Sequence, residues 1–590
     1  MKGRGLALAT PAAGLAVGVA LFLLRTREIA GPVGLAPFPL DDSWIHLQFA
    51  RNLAEGRGFA YNPGVPVSGS TAPLWTLALG GLFALFGSHP VLAKALGLAA
   101  ALGAAWLAGA LASIWTERRG LARLAAFLTA LAGPTVWGAL SGMEVTLAAL
   151  LVTASLVLHA RGRSVPAAIA LALGTVARPE SLILLPLFWL SGPPTWRRAV
   201  AWLVPSAVCL GPWVAFNLAT VGGPLPATAA AKIEGGLVGW LRGAREPLAT
   251  TLLARPGQFE AEWARWLWQT DVLLPVLLLP GLWWLGRRWG RAALVPALVL
   301  LAHPIAMALL APYRGPGFQE GRYSIHLLPL AIVVALAAMR LLDSPRERWR
   351  WSASLGAVGF AAGIVAALPP AATRYAWAVQ NIEAMHVHLG HWVAGHTPPG
   401  ARLALNDVGA ITYISRREIV DVMGLVTPGI IPFRRDGEVG VLRFLERSCP
   451  DYLIVFPEWF PSISSMTDRF QPIYRVRLDH NTVAGAAEMV VYEARWSRWR
   501  ADRHPCPGAL ARERRRVDQA REKMGPDRII ASWRPRKVSA PLSPPASSAA
   551  FCRAPPPRSP LRSTAGPTSG VRLATRRAST ASPRASAAER

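Results

Sequence analysis

Two adjacent carboxylates are the first candidates for chemistry in this sequence. Asp41 and Asp42 begin a short segment in which apolar residues recur at positions i, i+4 and i+8, the spacing of one helix face. Asp41 could cap this helix, and Asp42 could interact favourably with its dipole. A cap needs only one carboxylate, and His46 shares the face of Asp42 one turn later. The pair therefore also suits a general base or a divalent-cation ligand. The amphipathic pattern predicts a helix that lies along the outer membrane interface.

Three further ionisable residues lie at or inside apolar segments. Glu144 stands at the end of one segment, where a solvated carboxylate would cost little. Arg178 and Glu180 flank Pro179 within another. Ionisable groups at membrane depth are expensive and usually functional, although a local Arg–Glu ion pair is the simpler alternative. Because proline breaks helices, and irregular backbone at this depth survives only in protein or beside a cavity, we predict that residues 178–180 form a cavity wall.

Outward-facing cations follow later in the chain. Lys232 ends a loop rich in Gly and Pro, and Arg314 and Arg322 flank Glu320 at the start of a late apolar segment. A single lysine commonly extends its amine to the membrane interface without a further role. Cations on the outer side run against the positive-inside bias, so this group indicates a site for an anion.

Membrane-spanning helices must position these residues. The chain has 590 residues, 52% hydrophobic and 16% charged, against roughly 25% charged in soluble proteins. Apolar segments in residues 1–370 predict a polytopic α-helical membrane protein with about 10–12 spans. Arginines cluster in five connectors, which we assign to the cytoplasm: 118–123, 161–163, 197–198, 287–291 and 346–350. Loop 25–71 and the candidate site residues then lie on the outer side of the membrane. One span must separate this loop from the cytoplasmic connector 118–123, yet two apolar segments lie between them. Either segment 72–86 is re-entrant, or the loop or the connector is assigned to the wrong side.

The period changes after residue 370. Short apolar runs alternate with turns through residues 371–496, which predicts a small extracytoplasmic α/β domain. Asp407 and Asp421 end or follow strands, where they could cap turns or face a ligand. Four histidines with no tight ligand spacing predict a solvent-exposed helix face rather than a metal site: His386, His388, His391 and His396.

The basic charge is concentrated at the end of the chain. Residues 497–590 hold 21 Lys and Arg against 6 Asp and Glu, a net +15 of the total +28. The stretch is rich in Pro, Ser, Ala and Arg without apolar periodicity, so we predict a disordered basic tail, solvated or bound to anionic lipid headgroups. The charge therefore does not indicate a nucleic-acid partner.

The outer loop also carries an extended motif. After the acidic pair, residues 51–64 read R-x-L-x-x-G-x-G-x-x-x-N-P-G, and Thr-x-Pro-Leu-Trp follows at 71–75. This order resembles the first outer loop of the GT-C glycosyltransferases. It is similar above all to arabinofuranosyltransferase-like members of mycobacteria, and more distantly to lipid-A aminoarabinose transferases and the protein O-mannosyltransferases of glycosyltransferase family 39. The resemblance covers about residues 5–495. Ser68, Ser70 and residues 227–231 depart from the family pattern, which bears on donor and acceptor preference.

The resemblance implies a reaction. A polyprenyl-phosphate sugar would be the donor, and an envelope glycan, lipid or protein the acceptor. Transfer would occur with inversion at the outer face of the cytoplasmic membrane, with Asp41 or Asp42 as the general base. Arg178, Lys232, Arg314 and Arg322 would stabilise the leaving phosphate, while His46, Glu144 and Glu180 would orient the sugar or these cations. No cofactor is required, and a divalent cation on the acidic pair is left open.

Two other classes of function fit some of these features. A transporter or lipid flippase would also use broken helices and buried ions, but would show paired repeats and midplane charges, which the sequence lacks. A catalytically inactive anchor for envelope assembly would account for the altered loop residues.

Overall fold

The computed structural model describes residues 2–34, 37–233, 235–241, 246–343 and 351–496. The predicted tail, residues 497–590, and the arginine cluster at 346–350 lie outside the described residues. Six helices in the described part are long and apolar enough to cross a membrane: Leu8–Ala30, Val91–Thr116, Trp196–Val221, Arg291–Leu310, Ile325–Leu342 and Ser352–His396. The helices Arg119–Leu131 and Gly133–Leu140 meet at 51° and form a seventh span if counted together.

Four apolar helices are shorter than a full span: Pro73–Phe86, Val145–Ala160, Ser164–Ala177 and Pro179–Leu190. The number of about 10–12 spans is reached only if these also cross. Segment 72–86 is one helix of 14 residues, about 21 Å long against a hydrocarbon core of about 30 Å. The predicted break at Pro179 is present, because the preceding helix ends at Ala177, Arg178 is extended, and a 3-10 turn spans Pro179–Ile183.

One helix forms the centre of the helical region. Every residue of Leu328–Ala338 is buried, and its sequence is apolar on all sides, as expected of a helix surrounded by protein. It packs against Val91–Thr116 and against a further helix, Leu274–Trp289. The remaining described helices of this region are Asp42–Ala54, Ala227–Lys232, Gly236–Leu241, the π-helical turn Thr250–Ala254, Arg255–Thr270 and the short turn Phe318–Gly321.

The last part of the described chain forms a five-stranded sheet. Its strands are β1 (Arg402–Leu405), β2 (Glu418–Asp421), β3 (Tyr452–Val455), β4 (Phe470–Arg477) and β5 (Glu488–Ala494), in the order β2-β1-β3-β5-β4. β1 is parallel to β2 and β3, whereas β5 is antiparallel to β3 and β4. The helices Gly409–Ser415 and Gly437–Ser448 connect the parallel strands. A helix that is continuous from Ser352 to His396 joins this sheet domain to the helical region.

The outer-loop helix Asp42–Ala54 is largely buried in the protein. Residues 43–52 are all buried, because Pro73–Phe86 packs on one side and Gly409–Ser415 of the sheet domain on another. Protein therefore covers both sides of this helix, and its position along the outer membrane interface stays a prediction. Asn62 reinforces this contact, since its Nδ2 donates to the carbonyl of Ile419 (2.8 Å) and its Oδ1 accepts from the amide of Ile419 (3.0 Å) on β2.

Candidate functional site

A cavity of about 950 Å³ lies between the outer loop, the helical region and the sheet domain. Five of the residues predicted from sequence line it: Asp41, Asp42, Lys232, Arg314 and Arg322. They come from segments up to about 280 residues apart, and the fold brings them to one chamber. The chamber is therefore the candidate active site.

The two adjacent carboxylates have different partners. Oδ2 of Asp42 accepts a hydrogen bond from Arg322 at 2.7 Å, and the Asp42 side chain is 34% exposed to the cavity. The Asp41 carboxylate turns to the sheet domain, where it accepts from the amides of Gly409 and Ala410, both at 2.7 Å. Asp41 thus caps the first turn of Gly409–Ser415 rather than its own helix. Of these two aspartates, only Asp42 keeps an oxygen without a hydrogen-bond partner among the described residues.

The surroundings of these carboxylates shift their pKa values in opposite directions. Burial alone would raise the pKa of Asp42, but the charge of Arg322, with a smaller contribution from Lys232, lowers the pKa to about 2. For Asp41, burial and the nearby Asp407 carboxylate outweigh the opposing effects of His386 and the two amides, and together they raise the pKa to about 6. At neutral pH Asp42 is thus firmly ionised.

A buried chain of charged and aromatic groups continues behind Asp42. Arg322 donates to the hydroxyl of Tyr323 at 3.0 Å, and the ring of Tyr323 lies between the guanidinium groups of Arg322 and Arg178, 5.0 and 4.7 Å from its centre. Arg178 pairs with Glu144, whose other oxygen is 3.4 Å from Nε2 of His46. This chain fixes the plane of Arg322 and hence the position of Asp42.

Four predicted site residues do not line the cavity but belong to this support. His46, Glu144 and Arg178 are at most 4% exposed, so the alternative of a solvated Glu144 is wrong. Glu180 lies 3.5 Å from Nε of Arg178, which is the local ion pair weighed from the sequence. These residues can orient the side chains that line the cavity. They could contact a substrate only if the surrounding protein moved to expose them.

The mouth of the cavity carries cations without carboxylate partners. Neither Lys232 nor Arg314 pairs with an acidic side chain among the described residues, and both lie beside the ring of Tyr313. Arg374, in contrast, forms a two-point ion pair with Glu320 at 2.6 and 2.9 Å. Arg434, which donates to the carbonyl of Met423 at 2.7 Å, also lines the cavity. These three cations, Lys232, Arg314 and Arg434, have no carboxylate partner among the described residues.

The departures from the family loop pattern have structural roles. Ser68 accepts twice from the amide of Ala227, through its carbonyl at 3.1 Å and its hydroxyl at 3.2 Å. Ser70 hydrogen-bonds to Thr76 at 2.9 Å and lies 3.2 Å from Nδ1 of His46. Both serines fix the outer loop against its neighbours.

Residues that sequence reasoning missed form the other wall. His386 is buried, and its Nε2 lies 2.9 Å from Oδ2 of Asp407, so the prediction of a solvent-exposed histidine face is wrong for this residue. A signal existed, since His386 lies between Ile382 and Leu389 at the spacing of one apolar helix face. His388, His391 and His396 are exposed as predicted.

Two indoles also line this wall, Trp377 and Trp459, together with the turn at residues 480–485. The indole of Trp459 is partly exposed, while that of Trp377 packs against the His480 ring at 4.4 Å. No periodicity indicated that these side chains would share a chamber with Asp42, because the contacts depend on how the sheet domain docks.

Asp421 has the turn-capping role considered from the sequence. Its carboxylate accepts from the amides of Met423 (2.7 Å) and Val426 (2.8 Å). Within the described ranges, no group of three or more His, Cys, Asp or Glu side chains is placed to hold a metal ion.

A family model described as a domain of unknown function (DUF8728) matches residues 375–515. No curated protein sequence matches the chain. Among solved structures, the apo oligosaccharyltransferase of Archaeoglobus fulgidus aligns with a TM-score of 0.51 at 12% identity, covering 76% of this chain and 69% of that one.

Two further structures are similar. The archaeal oligosaccharyltransferase AglB of the same organism, in complex with an inhibitory peptide and a dolichol-phosphate, aligns with a TM-score of 0.50 at 11% identity over 84% of this chain and 75% of that one. ArnT from Cupriavidus metallidurans in the apo state aligns with a TM-score of 0.47 at 14% identity over 82% and 99%. The chain is thus a multi-pass membrane protein with the fold of the GT-C enzymes, and the predicted fold class is confirmed.

Proposed function

We propose that this protein is a glycosyltransferase that moves a sugar from a polyprenyl-phosphate donor to a hydroxyl of an envelope glycan, lipid or protein. The reaction takes place at the extracytoplasmic face of the cytoplasmic membrane. One observation carries the proposal: ionised Asp42 faces a chamber whose cations Lys232 and Arg314 have no carboxylate partner among the described residues. A similar fold that binds a dolichol-phosphate, in the archaeal oligosaccharyltransferase, supports a lipid-phosphate donor.

Asp42 is the general base in this mechanism, and Asp41 is not. As the acceptor oxygen attacks the anomeric carbon, its proton moves to the free oxygen of Asp42. The bond from the anomeric carbon to the phosphate oxygen breaks, and the phosphate leaves with the electron pair. A single displacement inverts the anomeric centre. Asp41 is unsuited to this step because both of its oxygens accept backbone hydrogen bonds.

The cations act on the leaving group. The phosphate gains one negative charge as the diester becomes a monoester, so fixed positive charge stabilises the transition state more than the ground state. Lys232 and Arg314 are placed to supply that charge. In this mechanism the phosphate shares Arg322 with Asp42, and this sharing weakens the pull of Arg322 on Asp42, which makes Asp42 a stronger base.

Membrane vesicles that contain the protein and a labelled polyprenyl-phosphate sugar test this function. Asp42→Asn should lower kcat by about 10²–10⁴-fold, the usual contribution of a general base. Asp41→Asn should act less strongly, through the docking of the sheet domain. Asp468→Asn, an exposed aspartate of that domain, is the matched control.

The outcomes separate the base from the function. Undiminished transfer by Asp42→Asn would remove Asp42 from the mechanism but leave the glycosyltransferase intact. If the unmodified protein transfers sugar from no polyprenyl-phosphate donor, the proposed function fails, and transport or anchoring becomes the better account.

A further inference from the structure

A second cavity, of about 420 Å³, lies where the outer loop meets β2 of the sheet domain. Four arginines and one glutamate contribute its charged lining: Arg51, Arg57, Arg416, Arg417 and Glu418. Arg51 follows Asp42 by nine residues, or two and a half helical turns, so it projects from the opposite side of the helix Asp42–Ala54. This arginine pocket is separate from the active-site cavity.

The positive charge in the arginine pocket is not neutralised by nearby acids. Glu418 already pairs with Arg402 at 2.9 Å, and Glu55 pairs with Arg57 at 3.0 Å. Arg51, Arg416 and Arg417 have no carboxylate partner among the described residues. When Arg402 and Glu55 are counted with the pocket residues, there are five arginines and two glutamates, an excess of three positive charges.

Arg51 is the most informative member of the pocket. Its side chain is 4% exposed, and its guanidinium donates to the carbonyl of Tyr413 at 2.8 Å and to Oε1 of Gln48. Burying a charged group without a counter-ion is costly, and burial, together with the charge of Arg416, lowers the pKa of Arg51. The Tyr413 bond ties the outer loop to the sheet domain, but that role does not require three more arginines around the same space.

The two arginines that the sheet domain contributes to the pocket are held differently. Arg417 is held in place by the carbonyls of Ser415 (2.7 Å) and Thr397 (2.8 Å). The exposed side chain of Arg416 has no hydrogen-bond partner within the part of the chain that the structure describes. Guanidinium groups bind phosphate oxygens in pairs and keep their charge at all physiological pH values.

We propose that the arginine pocket binds a phosphorylated anion, supplied either by the headgroup of an anionic phospholipid or by a soluble phosphate. The anion contacts Arg57 and Arg51 of the outer loop and Arg416 and Arg417 of the sheet domain, and so bridges the two. It stabilises the docked arrangement in which Asp41 meets Gly409. This role does not depend on the proposed glycosyl transfer.

Binding is measured on the full chain, purified and reconstituted, in two arms. One arm follows the unfolding temperature as inorganic phosphate or pyrophosphate is added, since a ligand that binds only the folded state raises it. The other compares nanodiscs of phosphatidylglycerol with nanodiscs of phosphatidylcholine. Both arms use a Lys232→Gln/Arg314→Gln background, which removes the two cations that the proposed function assigns to the leaving phosphate, and the test and control variants share it.

The test variant is Arg57→Gln/Arg416→Gln, which removes two exposed arginines of the pocket. The control is Arg443→Gln/Arg475→Gln, which removes two exposed arginines elsewhere in the sheet domain. We expect the test variant to weaken anion binding at least tenfold and the control to leave it unchanged. If the test variant loses the stabilisation by added phosphate or pyrophosphate, the ligand is a soluble phosphate. If it loses binding only to nanodiscs of phosphatidylglycerol, the ligand is a lipid headgroup. Equal binding by both variants in both arms would overturn the proposal.

Discussion

Asp41 and Asp42 are neighbours in sequence, yet their carboxylates meet different parts of the molecule. Asp42 faces Arg322 of the helical region, whereas Asp41 meets a helix that begins 368 residues later in the chain. An acidic pair in an outer loop is easily predicted to be functional. The division of roles between its members is not, because it depends on contacts that no local pattern specifies.

The raised pKa of Asp41 makes stability depend on pH. Its pKa is about 6 in the folded protein against 3.8 when solvated, so the folded state holds this proton more tightly. The resulting stabilisation is fully present below pH 3.8 and is lost as pH rises through about 6, at about 1.4 kcal/mol per pKa unit. We expect Asp41→Asn to flatten the dependence of the unfolding temperature on pH in that window.

Thermal unfolding of detergent-purified protein at a series of pH values measures this effect. Loss of one backbone hydrogen bond in Asp41→Asn shifts the whole curve by a constant and does not change its slope. Asp468→Asn should keep the slope of the unmodified protein. Parallel curves for Asp41→Asn and the unmodified protein would contradict the assignment.

At the scale of elements, a tight turn positions Glu144 between Gly133–Leu140 and Val145–Ala160. Gly142 in this turn has a φ of +74°, and a Cβ there would lie 2.4 Å from Cε1 of Phe38. The carbonyl of Gly142 also accepts from the Trp75 indole at 3.1 Å. The turn therefore needs glycine both for its backbone conformation and for the close packing of Phe38.

Gly142→Ala should destabilise the protein more than Gly162→Ala. Gly162 has nearly the same φ, +73°, but nothing lies within 4 Å of its Cβ position. The positive φ costs both variants about 1–2 kcal/mol, and the clash adds about 1–3 kcal/mol at Gly142 alone. Thermal unfolding and sugar transfer of both variants measure the difference. Equal losses would show that Phe38 moves aside freely.

Some elements could be predicted from the sequence, and the reasons are local. The helix break at Pro179 follows from proline chemistry, and the sheet domain follows from short alternating runs between turns. The burial of His386 and of the helix Asp42–Ala54 could not be predicted in the same way. Both depend on the docking of the sheet domain, which brings together segments more than 300 residues apart, as the bond from Tyr61 to Val408 shows.

At the scale of the whole molecule, the side of the membrane on which the cavity opens decides which donors can reach it. From the arginine clusters we predict that the connector at residues 161–163 lies in the cytoplasm and that the sheet domain lies outside. Arg161 and Arg475 are both exposed, so a cysteine at either position is accessible to a reagent on its own side.

A membrane-impermeant maleimide tests this arrangement in intact spheroplasts. We expect Arg475→Cys to be labelled at once and Arg161→Cys only after permeabilisation, with the unmodified protein giving the background from its own cysteines. The opposite pattern would place the cavity on the cytoplasmic side and would rule out transfer at the extracytoplasmic face.

The side-chain amide of Asn62 has a consequence for the sheet domain as a separate entity. By donating to and accepting from Ile419, it imitates one peptide unit of a neighbouring strand beside β2, the outermost strand on that side. A sheet domain expressed without the outer loop would present an unprotected β2 to solvent, and unprotected strands recruit other chains. In the full chain the outer loop thus covers an edge that would otherwise be open to association, as well as shaping the cavity.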